Sequence, residues 1–296
     1  MAQILDGVAV RNDILARLKP RIAKLPRKPG LAVILVGHDP ASEVYVRNKV
    51  KACSELGLYS DEIKPPETTT TEELLQLIDT LNKREDIDGI LVQMPLPKQI
   101  DPRRVLEAIA PEKDADGFHP TNVGHLVAGR PGAQACTPAG VMELLKFYKI
   151  PVSGKRAVVI GRSDIVGKPQ AIMLLHENAT VTICHSRTEN IAEECRRADI
   201  LVAAIGKAGF VTADFIKPGA TVIDVGINRV TDAAEAARFG KAAGFAKSGA
   251  VLVGDVHPLD ADRVAGGYTP VPGGVGPLTI AMLMANTVTL SEMHQA

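Results

Sequence analysis

The chain has 296 residues, of which 46% are hydrophobic and 23% are charged, and a chain of this length is expected to form two α/β domains rather than one. Lysine plus arginine equals aspartate plus glutamate at 34 each, aromatic residues make up 3%, and tryptophan is absent. Neither the basic surface nor the stacking side chains of a nucleic-acid-binding protein are therefore expected.

The N-terminal segment predicts a cytoplasmic protein. It carries charges every few residues and has neither a signal-type apolar core nor the run of about 18 apolar residues that spans a membrane. The four cysteines lack the close spacing of zinc ligands: Cys53, Cys136, Cys184 and Cys195. We expect them to be buried thiols, with no metal site, no disulfide framework and no membrane partner.

The first half of the chain contains two apolar runs and several helix start signals. The runs at 31–36 and 89–94 are typical of parallel strands buried on both faces. Three helices are predicted: one capped by Asp39 and stopped by Gly57, one from a Thr70/Glu73 capping box to Arg84, and a short one opened by Asp101. The stretch 111–137, rich in glycine, proline and aspartate, predicts a loop, after which a helix runs from Thr137 through Tyr148.

From Lys155 onward, strands alternate with helices, which predicts a Rossmann-type parallel sheet. The predicted strands cover 157–160, 180–184, 200–205, 220–225 and 251–256. The alanine-, glycine- and lysine-rich stretch 230–250 predicts a surface excursion rather than core, with its helicity undecided. We assign 1–140 to an N-terminal domain, 141–277 to a nucleotide domain, and 278–296 to a terminal helix that completes the first domain.

The turn after the first Rossmann strand is a candidate cofactor site. Gly161, Arg162 and Ser163 open the segment 161–169, where free backbone N–H groups and the helix dipole favour a dinucleotide phosphate. The usual G-x-G-x-x-G pattern is absent, so a plain tight turn remains the alternative.

The end of the second Rossmann strand favours NADP over NAD. NAD enzymes place an acidic residue about 20 residues beyond the glycine turn, where it binds the ribose 2′-hydroxyl. This chain has Ser186 and Arg187 there instead, and with Arg162 they supply donors and positive charge for a 2′-phosphate. The alternative is that 185–188 only caps the next helix.

Ser42, Tyr45 and Lys49 are the first catalytic candidates. They lie at i, i+3 and i+7 on the first predicted helix, so they can reach one ligand together. A lysine held near apolar groups has a lowered pKa and serves as an acid or base near neutral pH. The alternative is a solvated lysine and a tyrosine that only packs.

Other polar residues follow strands. Gln93 stands at the carboxyl end of an apolar strand, where ligands of α/β sheets bind, although it could simply end that strand. Near Asp114 and Asp116 a turn role competes with a ligand role, in which one carboxylate would accept the adjacent N–H donors of a pterin edge. The stretch 269–277, dense in glycine and proline, predicts backbone close to a ligand, with a rigid turn as the alternative.

Together these segments resemble the bifunctional methylenetetrahydrofolate dehydrogenase/cyclohydrolase family, in the family's order over nearly the whole chain. The matching segments are 41–49, 92–97, 114–118, 136–138, 161–169 and 270–277. The resemblance implies an oxidation of 5,10-methylenetetrahydrofolate with NADP, then hydrolysis of the methenyl product to 10-formyltetrahydrofolate, without a metal. It also implies a homodimer that serves purine, methionine and histidine biosynthesis.

The resemblance further implies a role for each candidate residue. Lys49 would be the acid–base residue, Gln93 would position it, Tyr45 would stack on the aminobenzoyl group of folate, and Asp116 would hold the pterin. The remaining implied contacts are Ser42, Pro272 and Gly273 for folate, and Gly161, Arg162, Ser163, Ser186 and Ile227 for NADP. Lys49 and Arg162 are expected to face one another across an interdomain cleft.

The sequence departs from the family at two places and leaves two alternatives open. His257-Pro258 stands where the family often has aspartate and an aromatic residue, and the stretch 230–250 is longer. One alternative is another NADP dehydrogenase resembling shikimate dehydrogenase, against which 93–97 and 272–274 argue. The other is a folate or nucleotide sensor without turnover, against which the presence of Lys49 argues.

Overall fold

The computed structural model describes residues 1–295, without the side chain of Ala41. Residue 296, the last of the predicted terminal segment, lies outside the described residues. Contacts between Cα atoms divide the chain into two compact units. The three-stranded unit contains 12–136 and the chain from 280 onward, and the six-stranded unit contains 1–11 and 137–279.

The three-stranded unit is built on a parallel sheet of order β3-β2-β4. Its strands are β2 (Gly30–Ile34), β3 (Tyr59–Ile63) and β4 (Gly89–Val92), and its helices include α2 (Pro40–Leu56), α3 (Thr71–Asn82), α4 (Pro102–Ala108) and α5 (Pro120–Val127). Every residue of β2 and β4 is buried, which confirms the two strands predicted from unbroken apolar runs. Both strands end two residues earlier than predicted, so Gln93 lies just beyond β4.

The predicted cap residues begin and end the helices of this unit. The Asp39 carboxylate accepts the N–H of Ser42 at 2.8 Å, and Gly57 ends α2 in the left-handed region with φ 73°. The Thr70/Glu73 capping box opens α3 as predicted. Helix α5 lies inside the segment predicted as a loop, because His119 accepts the N–H of Thr121 and caps a short helix that begins at Pro120.

The six-stranded unit contains a parallel sheet of order β1-β11-β8-β7-β5-β6, as predicted for a Rossmann-type domain. Its strands are β1 (Gln3–Ile4), β5 (Arg156–Ile160), β6 (Thr180–Cys184), β7 (Ile200–Ala203), β8 (Thr221–Asp224) and β11 (Gly267–Tyr268). Its helices include α6 (Cys136–Phe147), α7 (Gly167–His176), α8 (Ile191–Cys195) and α11 (Pro258–Val264). The sheet core consists of residues from several strands, including Val158, Leu201 and Val222.

The prediction of a strand over 251–256 in the Rossmann-type sheet was wrong, because the observed strand is shorter and belongs to another sheet. Strand β10 (Val251–Val253) pairs antiparallel with β9 (Asn228–Val230), and the two form a separate ribbon. Strands β11 and β1 instead complete the main sheet, and each has only two residues, too few to show a periodic pattern.

The stretch 230–250 forms two short helices, α9 (Ala233–Arg238) and α10 (Ala242–Ser248). The expectation that it contributes no core was wrong, because Val230, Ala236 and Phe239 are buried with Val253 in a small cluster of their own. The His257 ring lies 5.3 Å from the Phe239 ring, and its Nε2 lies 3.0 Å from the carbonyl oxygen of Arg238. The two departures from the family pattern, His257-Pro258 and the stretch 230–250, therefore contact one another.

Two long helices complete the fold: α1 (Gly7–Ile22), which the sequence analysis did not predict, and α12 (Gly276–His294), which it did. The part of α12 from Ile280 onward belongs to the three-stranded unit. All four cysteines are buried and free, as predicted. Among residues 1–295, no helix combines the length and the apolar composition that crossing a membrane requires.

Candidate functional site

The lysine site of the three-stranded unit is centred on Lys49, which leaves 8% of its surface exposed. Its Nζ donates a hydrogen bond to Oε1 of Gln93 at 2.9 Å. Burial lowers the pKa of Lys49, while the nearby Asp116 and Cys136 act in the opposite direction. The amine is thus a buried group near carboxylate and thiol, not a solvated surface lysine.

Gln93 is fixed at both ends of its amide. Its Nε2 donates to the carbonyl oxygen of Met94 at 2.6 Å, so Oε1 faces the Lys49 ammonium. Because Gln93 follows the last residue of β4, this contact depends on where that strand ends. The side chain therefore does more than terminate a strand.

Asp114 and Asp116 differ in their hydrogen bonding. The sequence left open which of them holds the turn and which is available for a ligand. The Asp114 carboxylate is buried and accepts three hydrogen bonds, from the N–H of Gly117, the N–H of His119 and Nδ2 of Asn122, at 3.1, 2.8 and 2.9 Å. Asp114 is therefore the residue that holds the turn. Among the described residues, none donates a hydrogen bond to the Asp116 carboxylate, which leaves it available for a ligand.

The surroundings of Asp116 raise the pKa of its carboxyl group. Burial raises the pKa of Asp116 to about 6, the Lys49 charge opposes the rise, and Asp114 adds to it. Burial also raises the pKa of the Cys136 thiol, as does the Asp116 charge. Lys49, Asp116 and Cys136 thus form one cluster of interacting titratable groups. The sequence predicted a buried thiol at Cys136 but not its place in this cluster.

Ser42 and Tyr45 share helix α2 with Lys49. Ser42 is buried, and its backbone N–H is held by the Asp39 cap. Tyr45 leaves 38% of its surface exposed, and burial of the remainder raises the pKa of its hydroxyl. An exposed aromatic ring beside a buried amine suits a ligand that stacks on one and bonds to the other.

In the six-stranded unit, two glycines of the turn after β5 lie in close contact with neighbouring backbone. Gly161 has φ 125°, and a Cβ built there would lie 2.2 Å from the carbonyl oxygen of Ala204. A Cβ on Gly167 would lie 2.3 Å from the carbonyl oxygen of Gly161. Only glycine fits both positions, and this close approach of strand, turn and helix α7 is the arrangement in which Rossmann domains receive a dinucleotide phosphate.

The carboxyl ends of strands β5 and β6 are followed by three exposed candidate residues: Arg162, Ser163 and Ser186. Ile160 of β5 is in register with Cys184 of β6, so Arg162 and Ser186 each stand two residues beyond a paired position. The Ser163 hydroxyl accepts the N–H groups of Val166 and Gly167 at 3.2 and 3.3 Å, which orders the start of α7. The segment 185–188 is a turn in which Thr188 Oγ1 accepts the N–H of His185 at 2.9 Å, so Ser186 is left free of capping.

Ile227 is 45% exposed beyond β8, in a segment held by a buried carboxylate. Asp255 accepts the N–H groups of Ile205, Gly206 and Lys207 at 2.7, 2.9 and 2.7 Å. It also accepts Nδ2 of Asn228, next to Ile227, at 3.0 Å. Asp255 thus ties the loop after β7 to the segment after β8, a role that the sequence analysis missed.

Pro272 and Gly273 lie between β11 and α12 in the six-stranded unit. The carbonyl oxygen of Gly273 accepts the N–H of Gly7 at 2.9 Å, and Gly273 itself has φ 100°. A Cβ on Gly7 would lie 1.7 Å from the carbonyl oxygen of Gly274. The close approach of Gly274 therefore requires glycine at position 7, while the positive φ of Gly273 favours glycine there, and Pro272 is exposed.

Two family models match the chain. The catalytic-domain model of tetrahydrofolate dehydrogenase/cyclohydrolase matches residues 5–116, and the NAD(P)-binding-domain model of the same enzymes matches residues 135–295. The chain is also 62% identical, over 300 residues, to the bifunctional protein FolD of Solibacter usitatus, covering 99% of this chain and 98% of the relative.

Solved structures agree with these matches. The bifunctional FolD methylenetetrahydrofolate dehydrogenase/cyclohydrolase of Campylobacter jejuni is 44% identical, with a TM-score of 0.90 and 99% of each chain covered. The dehydrogenase-cyclohydrolase of Trypanosoma brucei, solved with NADP cofactor and inhibitor, is 41% identical with a TM-score of 0.89, covering 99% of this chain and 98% of that one.

Proposed function

The chain belongs to the tetrahydrofolate dehydrogenase/cyclohydrolase family, and from this premise we propose how its own residues carry out the two reactions. It oxidises 5,10-methylenetetrahydrofolate to the 5,10-methenyl cation with NADP, and it hydrolyses that cation to 10-formyltetrahydrofolate with release of one proton. Family membership decides against the alternatives of a shikimate dehydrogenase and a sensor without turnover.

Lys49 is the proton carrier of the hydrolysis. Water adds to the methenyl carbon, and a base must take a proton from it. Burial lowers the pKa of the Lys49 amine and so favours its neutral form, which is the form that can accept that proton. Gln93 Oε1 orients Nζ and stabilises its charged form. This hydrogen bond at 2.9 Å is the observation that carries the proposal.

The remaining residues of the three-stranded unit hold the folate. The unpaired Asp116 carboxylate accepts the N–H donors of the pterin edge, the Tyr45 ring stacks on the aminobenzoyl group, and Ser42 contributes a buried hydroxyl to the same helix face. Pro272 and Gly273 stay predicted folate contacts. This division assigns orientation to several residues and proton transfer to Lys49 and its partner Gln93.

NADP supplies the hydride acceptor when it is bound. The glycine-only turn at Gly161 fits its pyrophosphate, because no Cβ blocks the approach of backbone N–H groups. Arg162, Ser163 and Ser186 bind its phosphates, and the exposed Ile227 contacts the nicotinamide. The absence of an acidic residue from 185–188, directly after β6, supports the 2′-phosphate form.

We also propose a cytoplasmic homodimer that supplies one-carbon units to purine, methionine and histidine biosynthesis. Strand β6 is an edge of the parallel sheet, its own Ile183 is 41% exposed, and Leu175 of helix α7 is 55% exposed. An apolar sheet edge is suited to pairing with a second copy. Light scattering should give twice the chain mass of 31.4 kDa, and a monomer mass would contradict the dimer.

A coupled assay tests the proposed chemistry. Purified protein is mixed with 5,10-methylenetetrahydrofolate and NADP, and NADPH and the methenyl product are followed by their separate absorbance bands. We expect NADPH to form at once, with the methenyl product consumed in turn. Turnover of shikimate, with none of folate, would refute the assignment.

The pKa of Asp116 predicts a pH dependence for folate binding. Because that pKa is about 6, the carboxylate that accepts the pterin donors is lost as the pH falls through this value. The dissociation constant of tetrahydrofolate, measured by titration, should rise about tenfold per pH unit well below pH 6. Asp116→Asn should bind weakly at every pH, without this dependence.

Unfolding of the same variant provides the control for its fold. The folded-state pKa of Asp116 exceeds its ordinary value of 3.8, so ionisation of the carboxyl opposes folding above about pH 6. Asp116→Asn should therefore be more stable than the parent above pH 6, and the difference should vanish as the pH falls below 3.8. If Asp116→Asn binds tetrahydrofolate weakly and is also less stable than the parent, the weak binding reflects a damaged fold and the proposed role of Asp116 is refuted.

A further inference from the structure

Helix α12 carries buried polar side chains within the three-stranded unit. Asn286 is 7% exposed, and Thr287 and Ser291 are fully buried, in a helix that is otherwise largely apolar. Thr287 Oγ1 donates a hydrogen bond within its own helix, to the carbonyl oxygen of Leu283 at 2.8 Å. Asn286 is different, because its amide contacts backbone of two other segments.

The Asn286 amide nitrogen faces three acceptors. Nδ2 donates to the carbonyl oxygens of Ala115 and Gln134 at 2.9 and 2.8 Å, and it lies 3.5 Å from Sγ of Cys136. Two carbonyl acceptors require the NH₂ end of the amide at this place, since Oδ1 would repel both. Loss of the amide would leave these carbonyl oxygens without that donor in a largely buried setting.

Both segments that Asn286 joins surround Asp116. Ala115 directly precedes Asp116, and the N–H of Cys136 donates to the carbonyl oxygen of Asp116 at 3.3 Å. A Cβ on Gly117 would lie 2.3 Å from the carbonyl carbon of Gln134, so the two backbones touch on the other side as well. The Cys136 thiol also donates to the carbonyl oxygen of Ala115, at 3.4 Å. The backbone of Asp116 is therefore set by contacts to which Asn286 contributes the two shorter side-chain hydrogen bonds.

The Asp116 carboxylate has no hydrogen-bond donor among the described residues, so its direction depends on its backbone. We infer that Asn286 is a positioning residue for Asp116, and through it for the pterin end of the folate substrate. The inference rests on the proposed role of Asp116. A carboxylate that accepts two adjacent N–H donors must meet both at once, so a small rotation of its backbone weakens both bonds.

The first test replaces Asn286 with leucine, whose side chain branches at the same atom and has no donors. Asn286→Leu should raise the KM for the folate substrate about tenfold in both reactions, with kcat and the KM for NADP within about twofold of the parent. Thr287→Val is the matched control, since it removes one buried hydrogen bond from the adjacent position, and it should have the parent's kinetics. Asn286→Ser replaces the leucine variant if that variant fails to fold.

A double-mutant cycle separates positioning from a general loss of structure. If Asn286 acts through Asp116, the KM of the double variant Asp116→Asn/Asn286→Leu should equal that of Asp116→Asn alone. Additive effects, an unchanged folate KM in Asn286→Leu, or an equal change in the KM for NADP would each overturn the inference. An unchanged folate KM in Asp116→Asn would instead overturn the proposed role of Asp116 itself.

Discussion

Replacing Lys49 with alanine should reduce cyclohydrolase turnover by about 10²- to 10⁴-fold, the range in which a positioned acid or base contributes to catalysis. The reason is that the attacking water then has no amine to accept its proton, while Gln93 loses the donor that it bonds at 2.9 Å. The rate is measured by the disappearance of the methenyl absorbance. NADP binding should remain unchanged, because the residues proposed to bind the cofactor belong to the other unit.

Lys51→Ala is the matched control for this prediction. Lys51 lies on the same helix, its side chain is 74% exposed, and its amine is 4.0 Å from the Glu55 carboxylate. A surface pair of this kind contributes little to stability, so the variant should retain the parent's turnover. Hydrolysis at the parent's rate by Lys49→Ala, or an equal loss in Lys51→Ala, would remove Lys49 from the chemistry.

The local signals of the sequence predicted the elements that carry the candidate residues. The Asp39 cap and the Gly57 stop fix the ends of α2, and these ends determine that Ser42, Tyr45 and Lys49 lie on one helix after a buried strand. The apolar runs predicted the central strands for the same reason, since strands buried on both faces have no polar positions. Such features depend on residues close together in the chain.

Features that depend on distant residues were not predicted. Asn286 meets Ala115 across 171 positions, and nothing in the spacing of the C-terminal helix indicates that partner. The choice between Asp114 and Asp116 likewise needed the structure, because it is the Asp114 carboxylate that accepts the hydrogen bonds of Gly117, His119 and Asn122. A polar residue such as Asn286 in a largely apolar helix is nevertheless a signal, and it marks where a buried partner must exist.

Replacing Arg162 with alanine should weaken NADP binding about 10- to 100-fold and NAD binding by no more than about threefold. Arg162 is exposed beyond β5, and Ser186 stands at the equivalent place beyond β6, where a 2′-phosphate would lie between them. NAD has a hydroxyl at that position, so loss of the guanidinium removes little from its binding. Dissociation constants for both nucleotides are obtained by fluorescence titration.

Lys168→Ala tests whether any positive charge near the turn after β5 is sufficient for NADP binding. The Lys168 ammonium is exposed, as Arg162 is, but it is already paired with the Asp164 carboxylate one helical turn away. A lysine whose charge is paired with a carboxylate attracts a phosphate less strongly than an unpaired guanidinium does. A lysine also lacks the planar set of donors with which arginine binds a phosphate through two hydrogen bonds. Lys168→Ala should therefore change NADP binding only slightly, and the Arg162 effect should shrink as salt screens it. If Arg162→Ala weakens NADP and NAD equally, the guanidinium does not recognise the 2′-phosphate, and its contribution is to the turn or the pyrophosphate instead.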